Sequence, residues 1–190
     1  MLREVIEEHS RVVEETLATQ TRAFYRVAEM AEDCLREGGT IFIFGNGGSA
    51  ADAQHFAAEL VGRFEHDRRG MPAMALTVNT STLTAVANDY GFERLFARQI
   101  EAFAKPGDLA IAISTSGESE NVLAAARVAK QIGCRIVGMT GAGGGTLGEL
   151  ADVLFAVPSA TVARIQEVHE ICLHALAGLL EKRMLSEAGE

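Results

Sequence analysis

The sequence predicts an α/β protein with a five-stranded, parallel, doubly wound sheet and a long helix at each end of the chain. Two observations predict this class: five short apolar runs typical of strands buried on both faces, and helix-like stretches that separate them. Strands that alternate with helices form parallel sheets through right-handed crossovers, and five of them favour a flavodoxin-like arrangement.

The N-terminal element is predicted to be helical, because residues 1–37 contain neither Gly nor Pro and their apolar residues recur at intervals of three or four. The pattern indicates one long amphipathic helix or a broken pair of helices. Gly38 and Gly39 end it. Its apolar stripe must pack on the α/β core or on another subunit, and the sequence leaves both possibilities open.

The α/β core follows this helix. Its expected strands are residues 40–44, 73–76, 109–113, 135–139 and 153–157, and its expected helices are residues 49–63, 81–103, 119–132 and 145–151. A second long helix is expected over residues 161–186. We therefore expect one domain, residues 1–190, made of an N-terminal helical extension (1–37), the core (40–158) and a C-terminal helix (159–190).

The charge balance excludes some classes of partner. Lys plus Arg number 17 and Asp plus Glu number 26, so the formal net charge is −9. Broad binding to nucleic acids or anionic membranes needs a basic surface, which this charge argues against. No apolar run approaches the ~18 residues of a membrane span, and the first residues do not have the pattern of a signal peptide.

The cysteines are informative about the compartment. Cys34, Cys134 and Cys172 are far apart and odd in number, which fits neither a disulfide framework nor a zinc ribbon. We expect them to be buried free thiols in a reducing environment. Together with the absence of a targeting pattern, this predicts a cytoplasmic protein.

A glycine-rich loop directly follows the first expected strand. Residues 45–50 read Gly-Asn-Gly-Gly-Ser-Ala, and Ser49 is expected to cap the next helix, whose N-terminus favours an anion. The dinucleotide-binding pattern is incomplete here because the second strand does not end in an acidic residue, and no Lys follows to make a Walker A loop. A plain glycine-rich turn is the alternative.

A hydroxyl-rich loop follows the third expected strand. Ser114, Thr115, Ser116 and Ser119 lie around one glycine where a helix begins. Hydroxyls and free N–H groups can bind a phosphate without Lys or Arg, whereas one hydroxyl is enough for capping. Since both loops lie at the carboxyl ends of parallel strands, a phosphorylated small molecule is the leading ligand.

Two helices carry groups that could perform chemistry. His55 and Glu59 are four residues apart and share one face of the helix after the first loop, and Arg63 is expected to extend that face toward a phosphate or a substrate oxygen. Gln166 and His174 lie about 80° apart on the C-terminal helix. An exposed ion pair is the alternative for His55 and Glu59, and the sequence does not show whether the two helices meet.

Such a set of side chains has two chemical uses. Two imidazoles, a carboxylate and an amide oxygen could bind a divalent metal such as zinc, or a carboxylate and an imidazole could act as base and acid. We expect His169 to be structural or accessory, and Glu167 and Glu170 to be solvated or paired. Asn88 and Asp89 could form only a turn, or could bind sugar hydroxyls.

These motifs, taken in order, resemble those of a known family. GNGGS at 45–49, DAQHFAAEL at 52–60, AND at 87–89, ISTSG at 113–117 and RIQE at 164–167 recur in sugar isomerase (SIS) domain proteins, and are most similar to those of the phosphoheptose isomerase family. The resemblance covers nearly the whole chain. It implies conversion of sedoheptulose 7-phosphate to D-glycero-D-manno-heptose 7-phosphate through an enediol, the first step of heptose biosynthesis.

The resemblance also implies roles for individual residues and an assembly. It implies a homotetramer with active sites between subunits, and Glu59 and His174 as the acid–base pair. The implied zinc ligands are His55, Glu59, Gln166 and His174. The implied phosphate-binding residues are Ser114, Thr115, Ser116 and Ser119, and the implied sugar-lining residues are Asn46, Gly47, Gly48, Ser49, Asn88 and Asp89, with Glu59 and Gln166 also at the substrate.

Two rival interpretations stay open at this stage. Some relatives are non-catalytic tetramers that bind the replication initiator DnaA and lack the acid–base residues, both of which this chain keeps. The other rival is a SIS isomerase or regulatory domain for a different sugar phosphate. One departure bears on substrate preference: family members often have Asp before the Arg-Ile-Gln motif, where this chain has Ala163.

Overall fold

Five strands form one parallel sheet in this computed structural model, which describes residues 1–188. The strands are β1 (Ile41–Gly45), β2 (Ala73–Ala75), β3 (Leu109–Ile113), β4 (Arg135–Thr140) and β5 (Val153–Ala156). Their order across the sheet is β2-β1-β3-β4-β5, and every neighbouring pair is parallel. The predicted fold class and its flavodoxin-like order are confirmed.

Helices alternate with the strands and extend the chain at both ends. They are α1 (Leu2–Arg36), α2 (Gly48–Val61), α3 (Thr80–Tyr90), α4 (Ala97–Phe103), α5 (Glu120–Ile132), α6 (Gly145–Leu150) and α7 (Val162–Ala188). The N-terminal segment is therefore one continuous helix of 35 residues. No helix within residues 1–188 has both the length and the apolar character of a membrane span.

The sheet has a separate apolar core on each face, because successive strand residues point to opposite sides. Ile41 and Ile43 of β1 belong to the core built with α1, α2 and α7, and Phe42 and Phe44 belong to the core built with α4, α5 and α6. Strands β1 and β3 are buried along their whole length. As a result α2 and α7 lie on the same face of the sheet, where they pack against each other.

One predicted helix is wrong. The sequence predicts a single helix over residues 81–103, but the structure has α3, a 3₁₀ turn (Phe92–Arg94) and α4. Gly91 adopts φ +90° directly after α3, a left-handed conformation that glycine tolerates and that ends an α-helix. The helix-like composition of the segment hides this break, because a single glycine is a weak signal.

The remaining boundaries agree within a few residues. The helix predicted for 49–63 is α2, which begins at Gly48 and already ends at Val61. The three cysteines are free and buried, as predicted. The predicted C-terminal segment 159–190 contains α7, and residues 189 and 190 lie outside the described part of the chain.

Candidate active site

The glycine-rich loop and the hydroxyl-rich loop meet at one edge of the sheet. β1 and β3 are neighbours, with Gly45 in register with Ile113, so the loops that follow them start side by side. The side-chain amides of Asn46 in the first loop and Asn121 in the first turn of α5, directly after the second loop, form a reciprocal pair: each Nδ2 donates to the other Oδ1 at 2.8 Å. Asn121 is buried, and the two loops are therefore held in fixed register.

Hydroxyl groups cluster in the second loop. Ser114 Oγ lies 2.9 Å from Ser119 Oγ and 3.3 Å from Ser116 Oγ. Ser119 is the N-cap residue of α5, yet its side chain makes no capping hydrogen bond. Gly117 has φ +72°, and a Cβ there would lie 2.1 Å from Gly144 O, so only glycine fits. The serines thus gather at a helix N-terminus, which is a favourable arrangement for an anion.

The first loop is built differently from the expectation. Gly47, with φ 56°, is the N-cap of α2, and Ser49 lies in the first turn, buried and without a capping bond. The prediction that Ser49 caps the helix is wrong, because the N-cap is Gly47, two residues earlier. A Cβ at Gly48 would lie 2.6 to 2.7 Å from the amide atoms of Gln166. The glycine therefore lets α7 approach the loop closely, with Gln166 beside Gly48.

Three side chains from α2 and α7 converge on His55. Its Nε2 lies 2.8 Å from His174 Nε2, 3.3 Å from Glu170 Oε1 and 3.5 Å from Glu59 Oε1. Glu170 Oε1 is also 3.4 Å from His174 Nε2. His55 and His174 keep 45% and 43% of their side chains exposed, so a ligand can reach them. The two helices do meet, which the sequence left open.

The pKa of one neighbouring carboxyl is raised. Asp52 lies one turn before His55 on α2, and burial together with the charge of Glu170 raises its pKa to about 6, although His55 lowers it in part. Asp52 Oδ2 and Glu170 Oε2 are buried without a hydrogen-bond partner. Three carboxylates and two imidazoles thus lie together, and two of the carboxylate oxygens accept no hydrogen bond. A bound cation would stabilise the negative charge of this cluster.

The donor set fits a divalent metal. Ligand atoms about 2.0–2.2 Å from a tetrahedral zinc are about 3.3–3.6 Å apart. The separations of 3.3, 3.4 and 3.5 Å from the imidazole nitrogens to Glu170 and Glu59 fall in this range. The two imidazole nitrogens are 2.8 Å apart, closer than two zinc ligands, so they would have to separate slightly for both to bind one ion. One ligand atom each from His55, Glu170 and His174 lies within 4.8 Å of the others, and these three could hold a metal ion.

Arg63 does not extend the His55 face. α2 ends at Val61, and Arg63 lies in the following segment, exposed, with Nη1 donating to Glu65 O at 3.4 Å. The expected helical spacing from Glu59 to Arg63 is therefore wrong, because Gly62 takes the chain out of the helix.

Asn88 and Asp89 lie in the last turn of α3 and not in a loop. Both are exposed, and Asn88 Nδ2 donates to Asp89 Oδ1 at 2.7 Å. Within residues 1–188 no hydrogen bond links the side chains of this pair to either loop.

The other polar residues of α7 divide as the sequence suggested, with one exception. His169 is fully buried, its Nε2 donates to Thr140 O at 3.1 Å, and burial lowers its pKa to about 4, which makes it structural. Glu167 pairs with Arg164 and His9. Glu170 is the exception, because it joins the His55 cluster. Its spacing, four residues after Gln166 and four before His174, was the signal that could have found it.

The described architecture is that of a sugar isomerase fold, and the comparisons agree. A family model described as SIS domain matches residues 5–141. The phosphoheptose isomerases of Geotalea daltonii and Roseiflexus sp. are each 50% identical over 182 residues, which is 96% of this chain and 95% and 92% of those proteins. A phosphoheptose isomerase structure from Neisseria gonorrhoeae superposes with a TM-score of 0.90 at 39% identity, covering 96% of this chain and 100% of that one.

These findings define the chain as a SIS-domain protein. A second solved phosphoheptose isomerase, from Francisella tularensis, superposes with a TM-score of 0.92 at 35% identity and covers 95% of this chain and 96% of that one. With such identity over nearly the full length, the chain belongs to the phosphoheptose isomerase family, a family of isomerase enzymes.

Proposed function

We propose that the protein converts sedoheptulose 7-phosphate to D-glycero-D-manno-heptose 7-phosphate in heptose biosynthesis. The observation that carries this proposal is the convergence of Glu59, Glu170 and His174 on His55, on helices that begin at or touch the anion-binding loops. The names of the relatives support an isomerase of a heptose phosphate.

The phosphate is proposed to bind at the second loop. Ser114, Ser116 and Ser119 present clustered hydroxyls at the N-terminus of α5, with Thr115 beside them. These groups and the helix N-terminus suffice for a phosphate without a cation, which is consistent with the net charge of −9. The first loop, with Asn46, Gly47, Gly48 and Ser49, is proposed to line the sugar, and Gln166 touches it. Arg63, Asn88 and Asp89 are proposed to reach substrate only across a subunit boundary.

The proton transfer is assigned to Glu59 and His174. An aldose–ketose isomerisation moves a proton between C1 and C2 and another between the two oxygens. We assign Glu59 to take the C1 proton and return it to C2, and His174 to exchange the oxygen protons. Glu59 Oε1 lies 3.5 Å and His174 Nε2 lies 2.8 Å from the same atom, His55 Nε2. This proximity supports the action of both side chains on one bound substrate.

A zinc ion is proposed at this cluster. The ligands implied by the family are His55, Glu59, Gln166 and His174, and the geometry of this chain adds the carboxylate of Glu170. A divalent metal would stabilise the enediolate oxygen as a Lewis acid. The residues themselves orient the substrate and carry its protons.

We also propose a cytoplasmic homotetramer with each chain acting as one domain. An apolar groove between α1 and α7 supports subunit contact on this face. Its lining includes Val13, Leu17, Phe24 and Ile171, and Leu17 and Ile171 are exposed. A second copy of the chain would bury this apolar surface.

Turnover of sedoheptulose 7-phosphate by wild type and by Glu59→Gln tests the proposal. Loss of a general base lowers turnover by about 10²–10⁴-fold, and the Glu59→Gln change should reach this range. The matched control is Glu167→Gln, a carboxylate of α7 that pairs with Arg164 away from His55 and should retain activity. A wild type no faster than Glu59→Gln would refute the catalytic assignment and favour the role in binding the replication initiator.

Metal content provides a separate test of the zinc proposal. Wild type purified without chelator should carry about one divalent metal per chain, and His55→Ala should carry much less. Equal metal content in the two proteins would rule out the cluster as the site. Glu170→Gln, measured in the same way, shows whether the additional carboxylate contributes to affinity.

A further inference from the structure

We propose that Glu181 and Arg68 are positioning residues that set the geometry between Glu59 on α2 and His174 on α7. They hold the segment of residues 62–70, which follows α2, against α7. This segment carries Phe64 to the face of the His174 ring. The inference rests on the acid–base roles proposed for Glu59 and His174.

Glu181 anchors the segment through its backbone. The carboxylate of Glu181 accepts the N–H of Phe64 at 3.0 Å through Oε1, and the N–H groups of Glu65 and His66 at 2.8 and 2.9 Å through Oε2. Three successive N–H groups around one anion form a compact nest, and the side chain of Glu181 is only 1% exposed. Such a nest fixes the backbone at Phe64 more firmly than a single bond would.

Arg68 connects the same carboxylate to the end of α2. Its Nε donates to Glu181 Oε1 at 3.1 Å, its Nη2 to Glu59 O at 2.8 Å and its Nη1 to Leu60 O at 2.9 Å. The guanidinium therefore satisfies carbonyls in the last turn of α2, where a cation is favourable. The backbone of Glu59 is thus tied to α7 through one buried ion pair.

Phe64 carries the constraint to His174. Its ring centroid lies 5.9 Å from that of His174, with 35° between the ring planes. Gly178 makes this possible: a Cβ there would lie 3.2 Å from Phe64 Cε1, so any larger residue would press on the ring. His174, Gly178 and Glu181 are spaced by four and three residues, and so they form one stripe along α7 that faces the segment.

Glu181, Arg68 and Phe64, together called the clamp, constrain both members of the proposed acid–base pair without taking part in the reaction. Glu181 and Arg68 touch no reacting group, yet one holds the ring behind His174 and the other holds the carbonyl of Glu59. Catalytic groups must be held to within about half an ångström of their productive positions, so loss of the clamp should lower kcat more than it weakens substrate binding.

The experiment compares Glu181→Gln, Phe64→Leu and Phe64→Tyr in the full-length protein. The control is Glu32→Gln, which removes a buried carboxylate that pairs with Arg183 of α7 and does not touch the 62–70 segment. Two readouts are taken: kcat and KM with sedoheptulose 7-phosphate, and the ring resonances of His174 in ¹³C-histidine-labelled protein. The resonances report the position of the Phe64 ring whether or not the protein turns over substrate.

The expected result has three parts. Glu181→Gln and Phe64→Leu move the His174 resonances in the same direction and lower kcat at least about fivefold with KM within about twofold. Phe64→Tyr, which keeps the ring, retains wild-type kcat. Glu32→Gln lowers stability but leaves the His174 resonances and kcat unchanged.

Two results would overturn the proposal. His174 resonances that stay in place in Glu181→Gln would show that the clamp does not hold Phe64, and shifted resonances with unchanged kcat would show that the clamp does not position the catalytic pair. A wild type without turnover would instead refute the proposed function, and the resonances alone would then decide whether Glu181 positions Phe64.

Discussion

Replacing Glu181 with Gln should destabilise the protein in a way that depends on pH. Burial alone would raise the pKa of Glu181, but the N–H groups of Glu65, His66 and Phe64 and the ring of His66 outweigh it and lower the pKa from 4.5 to about 2. A carboxyl whose pKa is lower in the folded state stabilises the protein above its unfolded pKa. That contribution is lost as the pH falls toward the folded pKa.

The magnitude follows from the two pKa values. A difference of about 2.5 units corresponds to about 3 kcal/mol of stability at neutral pH, at about 1.36 kcal/mol per unit. The same linkage leaves about three quarters of this contribution at pH 4 and less than half of it at pH 3. Glu181→Gln keeps the shape of the side chain and removes its charge. The difference in unfolding free energy between wild type and Glu181→Gln should therefore decrease in the same proportion as the pH falls.

Urea denaturation followed by circular dichroism, at fixed protein concentration and at several pH values, measures the gap. Glu65→Gln is the matched control, because its carboxylate is exposed and belongs to the same segment, and it should show almost no gap. A Glu181→Gln gap that is equally large at pH 3 and pH 7 would refute the reasoning, since the loss would then come from packing and not from the charge.

Three further predictions concern the loops and the thiols. Asn121→Ala leaves the side-chain amide of Asn46 unpaired, so it should lower the free energy of unfolding in urea by about 1–3 kcal/mol and raise KM. An unchanged KM would contradict the view that the pair holds the first loop in position for the sugar. Gly117→Ala, which forces a Cβ onto Gly144 O at φ +72°, should lower stability by more than about 1–2 kcal/mol in the same assay, and wild-type stability would count against the close approach. Burial and then the charge of Asp108 raise the pKa of Cys34 and of Cys134 to about 11, and burial raises the pKa of Cys172 to about 12. A thiol reagent at mildly alkaline pH should therefore react with none of the three cysteines in native protein and with all three after denaturation. Fast reaction of the native protein would disprove their burial.

Local pattern was enough to predict the layers of this fold. Wholly apolar runs such as residues 41–44 and 109–113 indicated strands covered on both sides, and the structure buries them completely. The same pattern failed over residues 81–103, since one glycine at φ +90° ends α3 within a segment of otherwise helical composition. Periodicity reports which face a residue takes, and it is insensitive to a single backbone reversal.

The candidate site was predictable only in part. Sequence spacing placed His55 and Glu59 on one helical face, and their 3.5 Å contact agrees with it. The role of Glu170 was missed, because a charged residue on a helix is usually solvated and nothing local shows that α2 lies opposite. The predicted position of Arg63 on the His55 face was wrong, because the helical spacing of four residues was extended past the end of α2.

The sequence by itself determined the alternation of strands and helices, the position of the glycine-rich and hydroxyl-rich loops at strand ends and the family motifs. These depend on backbone preferences and on residues a few positions apart. Only the tertiary structure decided that α2 meets α7, that Asn46 pairs with Asn121 and that Glu181 holds a segment more than a hundred residues earlier in the chain. Such contacts depend on how every apolar face packs against the sheet at once, a balance that no local pattern contains.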